Sequence, residues 1–285
     1  MARRSFTTRA YLGLYTETPL HCGAESGSGY VDLPIQRERH SHFPMIPGST
    51  IKGVLRNESD WNGKTDAYFG PRFGESDARN PGTISFSDGF VVAFPIRSTK
   101  EPFVWVTCPI VLERTLRSLE MTWPDKLPSL SDEQAWSKGT PGEIVLEELA
   151  VTVVPAPPEL DAVVTAVASL LPTDPAFNYT RGIFPARLVV VSDQNFGQLV
   201  ETGTEVLTRI AIDPVSGTTT GEKGHMFNEE LVPRDTLFLC VLREIARGTE
   251  TPFPLDLMPP TIRLGGEETI GRGVTWVRTI EAKGA

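Results

Sequence analysis

Residues Phe43 to Arg56, FPMIPGSTIKGVLR, set the frame for the rest of the chain. An apolar run meets Pro47-Gly48, a pair that turns the chain and ends whatever strand precedes it. Ser49 follows as the expected N-cap. Ile51, Val54 and Leu55 then recur at helical spacing, so a helix starts here with its apolar stripe toward a core. Lys52 and Arg56 are four residues apart and share another face of that helix. Free N–H groups and the positive end of the helix dipole make such a terminus, flanked by two cations, suited to phosphate.

Upstream, RAYLGLYTET from Arg9 to Thr18 alternates Tyr11, Gly13 and Tyr15 with Leu12 and Leu14, which predicts a strand with one buried face. HCGAESGSG, starting at His21, is rich in glycine and serine and predicts a flexible loop of about residues 21–42, in which Pro34 forbids a regular helix. Downstream, Thr83 to Ile96 is strand-rich with a turn at Ser87-Asp88-Gly89, Val104 to Ile110 is a strand and Val111 to Leu119 a short helix. Thr122 to Gly142 mixes tryptophan, proline and charge and is expected to be an irregular insertion. Glu147 to Val154 is a strand, Leu160 to Leu171 a helix and Arg187 to Val191 a strand, with Asp193 capping the next helix. Glu205 to Ile212 followed by Asp213-Pro214 predicts one arm of a protruding hairpin of about residues 205–227. Asp235 to Ala246 fits strand or helix. Leu264 to Gly273 is a glycine-rich loop before a strand from Val274 to Val277. Strand, helix, strands, then strand, helix, strand is the order of two split βαβ units. The expected class is α+β, ferredoxin-like (RRM-like), as a single domain over residues 1–285.

Composition narrows the function. The chain of 285 residues carries a net charge of −9, which argues against a free-standing nucleic-acid binder. The acidity is uneven: residues 1–60 hold seven Lys/Arg against six Asp/Glu, and residues 81–185 hold seven against thirteen. A local basic surface can therefore coexist with an acidic whole. Cys22, Cys108 and Cys240 form no CxxC pair, which argues against a disulfide scaffold and structural zinc; Cys108 and Cys240 lie in apolar runs and are expected to be buried. No apolar run is long enough to span a bilayer, so no membrane partner is expected and the protein reads as cytoplasmic. A nucleotide-cofactor motif such as GxGxxG or a P-loop is absent.

FPMIPGSTIKGVLR resembles the signature of the RAMP superfamily, and Leu264 to Gly273 is similar to the glycine-rich loop near the C-terminus of those proteins. HCGAESGSGYVDLPIQRE from His21 to Glu38, SFSDGFVVAFPIRS, FVWVTCPIVLER from Phe103 to Arg114, and FNEELVPRDTLF from Phe227 to Phe238 resemble the repeated backbone subunit of type III-B (Cmr) CRISPR effector complexes. These segments keep their order over nearly the whole chain. The resemblance implies a RAMP core that binds guide RNA and cleaves the paired target RNA, with further copies of itself and other CRISPR effector subunits as partners. An equivalent type III-A subunit, or a RAMP protein that only binds and spaces guide RNA, are the neighbouring alternatives.

The resemblance also implies roles for particular residues. Ser49, Lys52, Arg56, Gly265, Gly266, Gly271, Arg272 and Gly273 would contact RNA. Asp32 stands at the position of the family's target-cleaving aspartate and would hold a divalent ion, Mg2+ or Mn2+. His21 would carry a proton, and Glu229 and Glu230 match an acidic element near the cut. The chemistry suits these residue types, because RNA supplies its own nucleophile, the 2′-OH. A carboxylate, or a metal ion that it binds, can take the proton from that hydroxyl. Glu267 and Glu268 are expected to face solvent, away from phosphate, and His40, His42 and His225 to be surface residues.

Overall fold

A computed structural model of the chain describes residues 5–24, 31–72, 81–124, 127, 129–139, 141–210, 215–217, 226–246 and 252–282. In chain order the elements are β1 (Ser5–Thr16), β2 (Met45–Ile46), α1 (Gly48–Glu58), α2 (Thr65–Phe69), β3 (Ile84–Phe86), β4 (Gly89–Arg97), β5 (Phe103–Thr107) and α3 (Pro109–Ser118). Then come β6 (Gln134–Ser137), β7 (Gly142–Leu146), β8 (Leu149–Pro155), α4 (Leu160–Ala168), α5 (Asn178–Arg187), β9 (Leu188–Val190) and α6 (Asp193–Thr202). The chain closes with β10 (Glu205–Arg209), β11 (Phe227–Leu231), β12 (Leu237–Ala246), β13 (Thr261–Arg263) and β14 (Val274–Glu281).

The main sheet runs β13-β14-β1-β12-β4-β5-β9-β6-β8-β7. Its first half is the expected ferredoxin-like plan. β12 lies antiparallel between β1 and β4, so β1 and β4 are parallel with α1 crossing between them. β1 likewise lies between β12 and β14, the second split unit. Among the described residues of that second crossover a helix is replaced by 3₁₀ turns at Leu255–Leu257 and Glu268–Ile270. Phe253 is fully buried there against the rings of Trp61, Tyr68 and Phe69.

β1 was expected to bury one face and in fact buries two. Ala10, Leu12 and Leu14 join the core under α1 and α6, whereas Tyr11 and Tyr15 join the core under α3, α4 and α5. The period of two is the pleat itself, filled on both sides. Gly13 has room for nothing larger, since a Cβ there would sit 2.0 Å from the Leu170 carbonyl oxygen.

Several local expectations are corrected. Ser87-Asp88 is not a reversal: β3 and β4 both pair antiparallel with β12, so the residues form a bulge in one long strand. Residues 122–142 are not wholly irregular, because β6 lies within them and pairs with β8 and β9. Glu147 belongs to the tight turn joining β7 and β8, with φ of +53°. Asp235 to Ala246 resolves as strand, β12. Asp193 does not cap α6; Ser192 does, its side chain accepting from the Asn195 N–H. Nor does Ser49 cap α1. The helix already begins at Gly48, and Gly48 N–H donates to Asp88 Oδ1 at 2.7 Å, so the cap comes from the bulge across the sheet.

The bond from Gly48 should be visible in stability. Asp88→Ala should cost about 1 kcal/mol, lowering the thermal midpoint by roughly 2–4 °C, while Asp88→Asn keeps an acceptor and should retain most of it. A wild-type midpoint for Asp88→Ala, read by calorimetry, would show that the contact contributes nothing.

Candidate RNA-cleavage site

β10 and β11 pair as a separate two-stranded sheet, the base of the expected hairpin, and β11 is where the predicted cleavage residues meet. Residues 31–37 run beside it. Leu33 bridges to Glu229 in parallel fashion, its N–H donating to Asn228 O at 3.0 Å and its carbonyl accepting from Glu230 N–H at 3.0 Å. The other side of the segment pairs antiparallel with residues 22–24: Gln36 N–H donates to Cys22 O at 2.7 Å and Ala24 N–H to Pro34 O at 2.8 Å. The described parts of the 21–42 stretch are therefore pinned, not loose. Gly27 and Gly29 of the expected loop, and His225, lie outside the described residues.

Asp32 is exposed and makes no ion pair among the described residues; its Oδ2 accepts from the Asn228 N–H at 2.8 Å. One carboxylate oxygen is thus spent on holding position. His21 is brought to the same strand, Nδ1 lying 2.8 Å from the Glu230 carbonyl oxygen. A carbonyl can only accept, so Nδ1 carries a proton and Nε2 is the ring's other nitrogen.

The two glutamates of β11 point to opposite sides, as strand neighbours must. Glu229 is almost wholly buried, with Oε1 at 3.7 Å from His21 Nδ1 and Oε2 at 2.8 Å from the Arg209 guanidinium. Arg209 also pairs with Glu267, so one cation serves two carboxylates. Burial, and then Glu229 beside it, push the Glu267 carboxyl above its usual range. Glu267 was expected to face solvent and does not; Glu268 does, paired with Arg263. Glu230 is spent on structure. Its Oε1 accepts from Arg37 at 2.6 Å and from the Thr204 hydroxyl at 2.9 Å, and its Oε2 accepts from Ile35 N–H at 3.0 Å.

The glycine-rich loop abuts this cluster. Gly266 N–H donates to His21 O at 3.0 Å. Gly265 has φ of +78° and Gly273 +74°, and a Cβ at either would lie 2.2 Å from His21 O or 2.0 Å from Leu264 O. Those two glycines are explained by packing. Gly266 and Gly271 face open space, and Arg272 is half-buried.

At α1 the two cations part company. Arg56 turns to Asp66 and to the Gly70 carbonyl, tying α1 to α2, so its charge is already used. Lys52 is half-buried beside Ser49, which is exposed; burial, and then Arg56, lower its pKa. An ammonium held that way gains from a phosphate that restores the missing counter-charge. All three cysteines are buried, the Cys22 thiol being pushed up to about 12 by burial.

No group of three or more His, Cys, Asp or Glu side chains among the described residues is arranged to hold a metal ion. A lone exposed carboxylate such as Asp32 would suit Mg2+ or Mn2+ that keeps most of its water. Arg37, Asn228, Thr204 and Arg209 were not singled out in the sequence. They lie far along the chain from Asp32 and Glu230 or carry no local pattern, and only the fold reveals them.

A sequence profile of the RAMP superfamily matches residues 14–275. The CRISPR system Cmr endoribonuclease Cmr4 of Pyrococcus furiosus is 34% identical, over 93% of this chain and 94% of its own length. The chain belongs to the RAMP superfamily, in its Cmr4 family. Its likeness to solved RAMP structures is equally broad. A crystal structure of oligomeric Cmr4 from Pyrococcus furiosus superposes with a TM-score of 0.71 at 30% identity, covering 96% of this chain and 99% of that one. A type III-B Cmr-beta structure bound to cognate target RNA gives a TM-score of 0.72 at 18% identity, over 96% and 98% of the two chains, a likeness of fold. No described helix of this RAMP protein is long and apolar enough to cross a membrane.

The two classes of loop glycine should separate experimentally. Gly273→Ala forces a side chain into a left-handed, occupied position and should cost more than about 1–2 kcal/mol, several degrees of thermal midpoint. Gly266→Ala, in open space, should stay within about 0.5 kcal/mol of wild type. Equal losses in the two variants would contradict the packing account.

Proposed function

We propose that this chain is the repeated backbone subunit of a type III-B CRISPR ribonucleoprotein, acting in the cytoplasm, that binds guide RNA and cuts the paired target RNA at Asp32. One observation carries the reading: an exposed carboxylate, anchored through one oxygen to a backbone N–H of β11 and otherwise unpaired among the described residues. It stands against the strand that also fixes His21. The name of the Pyrococcus furiosus relative, an endoribonuclease of the Cmr system, supports the same chemistry.

In this reading the target's 2′-OH attacks the adjacent phosphorus. The Asp32 carboxylate favours removal of the hydroxyl proton, and His21, through Nε2, can hand a proton to the departing 5′-oxygen. The products are a 2′,3′-cyclic phosphate and a 5′-hydroxyl. Asp32 would hold the divalent ion, which when bound adds positive charge at the scissile phosphate. Lys52, Ser49 and Arg272, with the open backbone at Gly266 and Gly271, would contact the guide or its duplex; Arg56 would act through α1 and α2. The net charge of −9 fits a subunit whose RNA contacts are local and are summed over several copies.

Asp32→Asn keeps an acceptor for Asn228 N–H while removing the negative charge. Within the assembled complex it should cut a labelled target at least about 100-fold more slowly and bind that target as wild type does. Undiminished cutting would remove Asp32 from the site. Lys52→Ala should weaken guide binding and flatten its dependence on salt by about one counter-ion; an unchanged slope would return Lys52 to the solvated surface.

A further inference from the structure

Asp32 cannot position itself. It sits at one end of a short extended segment whose other end is gripped by Arg37. That guanidinium lies mostly buried and makes contacts on three sides. It donates to Glu230 Oε1 at 2.6 Å, to the Val200 carbonyl at 3.2 Å and to the His42 carbonyl at 2.8 Å. Val200 O belongs to the last turn of α6, where a cation also meets the negative end of the helix dipole. Glu230 in turn accepts from Ile35 N–H at 3.0 Å, two residues back along the segment, and from Thr204 just beyond α6. Through its backbone it bonds Leu33 O and the His21 ring. One ion pair thus connects four stretches of chain: the His21 turn, the segment bearing Asp32, the end of α6 and β11.

We infer that Arg37 is a positioning residue for cleavage: with Glu230 it forms a strut that sets where Asp32 and His21 stand relative to each other, and neither member of the pair touches the RNA. The inference rests on Asp32 being the cutting residue. A planar guanidinium suits the task, because it reaches a carboxylate and two carbonyls at once from a fixed fork; an ammonium on a flexible stem cannot hold all three in the same geometry. Displacements of an ångström at reacting groups are enough to cost about 100-fold in rate.

The test is single-turnover cutting of a saturating labelled target by the assembled guide-bound complex, across a range of pH, for wild type, Arg37→Met, Arg37→Lys, Glu230→Gln and Asp32→Asn. The expected result for Arg37→Met is a rate at least tenfold lower, a target Kd within threefold of wild type, and a pH profile of unchanged shape. Arg37→Lys should recover part of the loss. Glu230→Gln, whose single oxygen cannot serve Arg37 and Ile35 N–H together, should fall similarly, again with the profile's shape intact. Loss of one limb of the profile in Glu230→Gln would mean that Glu230 itself exchanges protons, and would overturn the strut. So would wild-type cutting by Arg37→Met. If Arg37→Met does not assemble, Arg37→Lys decides: a slower rate with wild-type binding supports the strut and a wild-type rate overturns it. Asp32→Asn separates the two levels, since residual full activity there defeats the reading of the site itself, whereas a dead Asp32→Asn beside a fully active Arg37→Met defeats the strut alone.

Discussion

A carboxylate taken out of water must be matched, oxygen by oxygen, or its desolvation destabilises the fold by several kcal/mol. Glu230 meets that condition with a guanidinium, a hydroxyl and a backbone N–H drawn from separate parts of the chain. Replacing such a pair with apolar side chains often leaves stability unchanged, whereas breaking it costs about 3–5 kcal/mol. What the pair provides here is register. With Glu230 fixed, residues 33–37 lie at a defined height along β11, and Leu33 bridges to Glu229 and not to a neighbour. Asp32 can then accept from the Asn228 N–H.

The opposite face of β11 is arranged differently. Glu229 and Glu267 share Arg209, and the buried Glu229 Oε2 lacks an aligned hydrogen bond despite the short approach of that guanidinium. Glu267 adopts a left-handed backbone with φ of +65°. Its carboxyl is raised, so it gives up its proton less readily in the folded chain than in the unfolded one. By linkage, this group reduces stability as pH rises out of the ordinary carboxylate range, and Arg209 limits the effect.

The ferredoxin-like core was legible because it is local. The alternation of β1, the Pro-Gly entry to α1 and the short helix at α3 each lie within a dozen residues. The α1 cap was misassigned because capping oxygen can come from elsewhere: Asp88 is 40 residues from the Gly48 N–H that it caps. The second split unit was not legible: the strand, helix, strand order at Glu147–Val191 suggested it, whereas β12 and β14 form it around β1. The resemblance pointed to Asp32, His21, Glu229 and Glu230, which the fold gathers around β11, but only the fold distinguishes the two glutamates. Strand alternation sends one toward Arg209 and the other toward Arg37, and no spacing in the sequence ranks one above the other. Likewise Lys52 and Arg56 read alike until Asp66 and Gly70 claim Arg56.

In the proposed reading, buried pairing holds an exposed carboxylate in place and the RNA supplies the nucleophile. That dependence on the RNA's own hydroxyl is most directly tested with a target carrying a single 2′-deoxy sugar at the cut position, offered to the assembled guide-bound complex beside the all-ribose target. The account predicts equal binding and no cutting at the modified position, with the all-ribose target yielding a 2′,3′-cyclic phosphate end. Cutting of the 2′-deoxy position at the normal rate would show that the nucleophile comes from elsewhere and would contradict it.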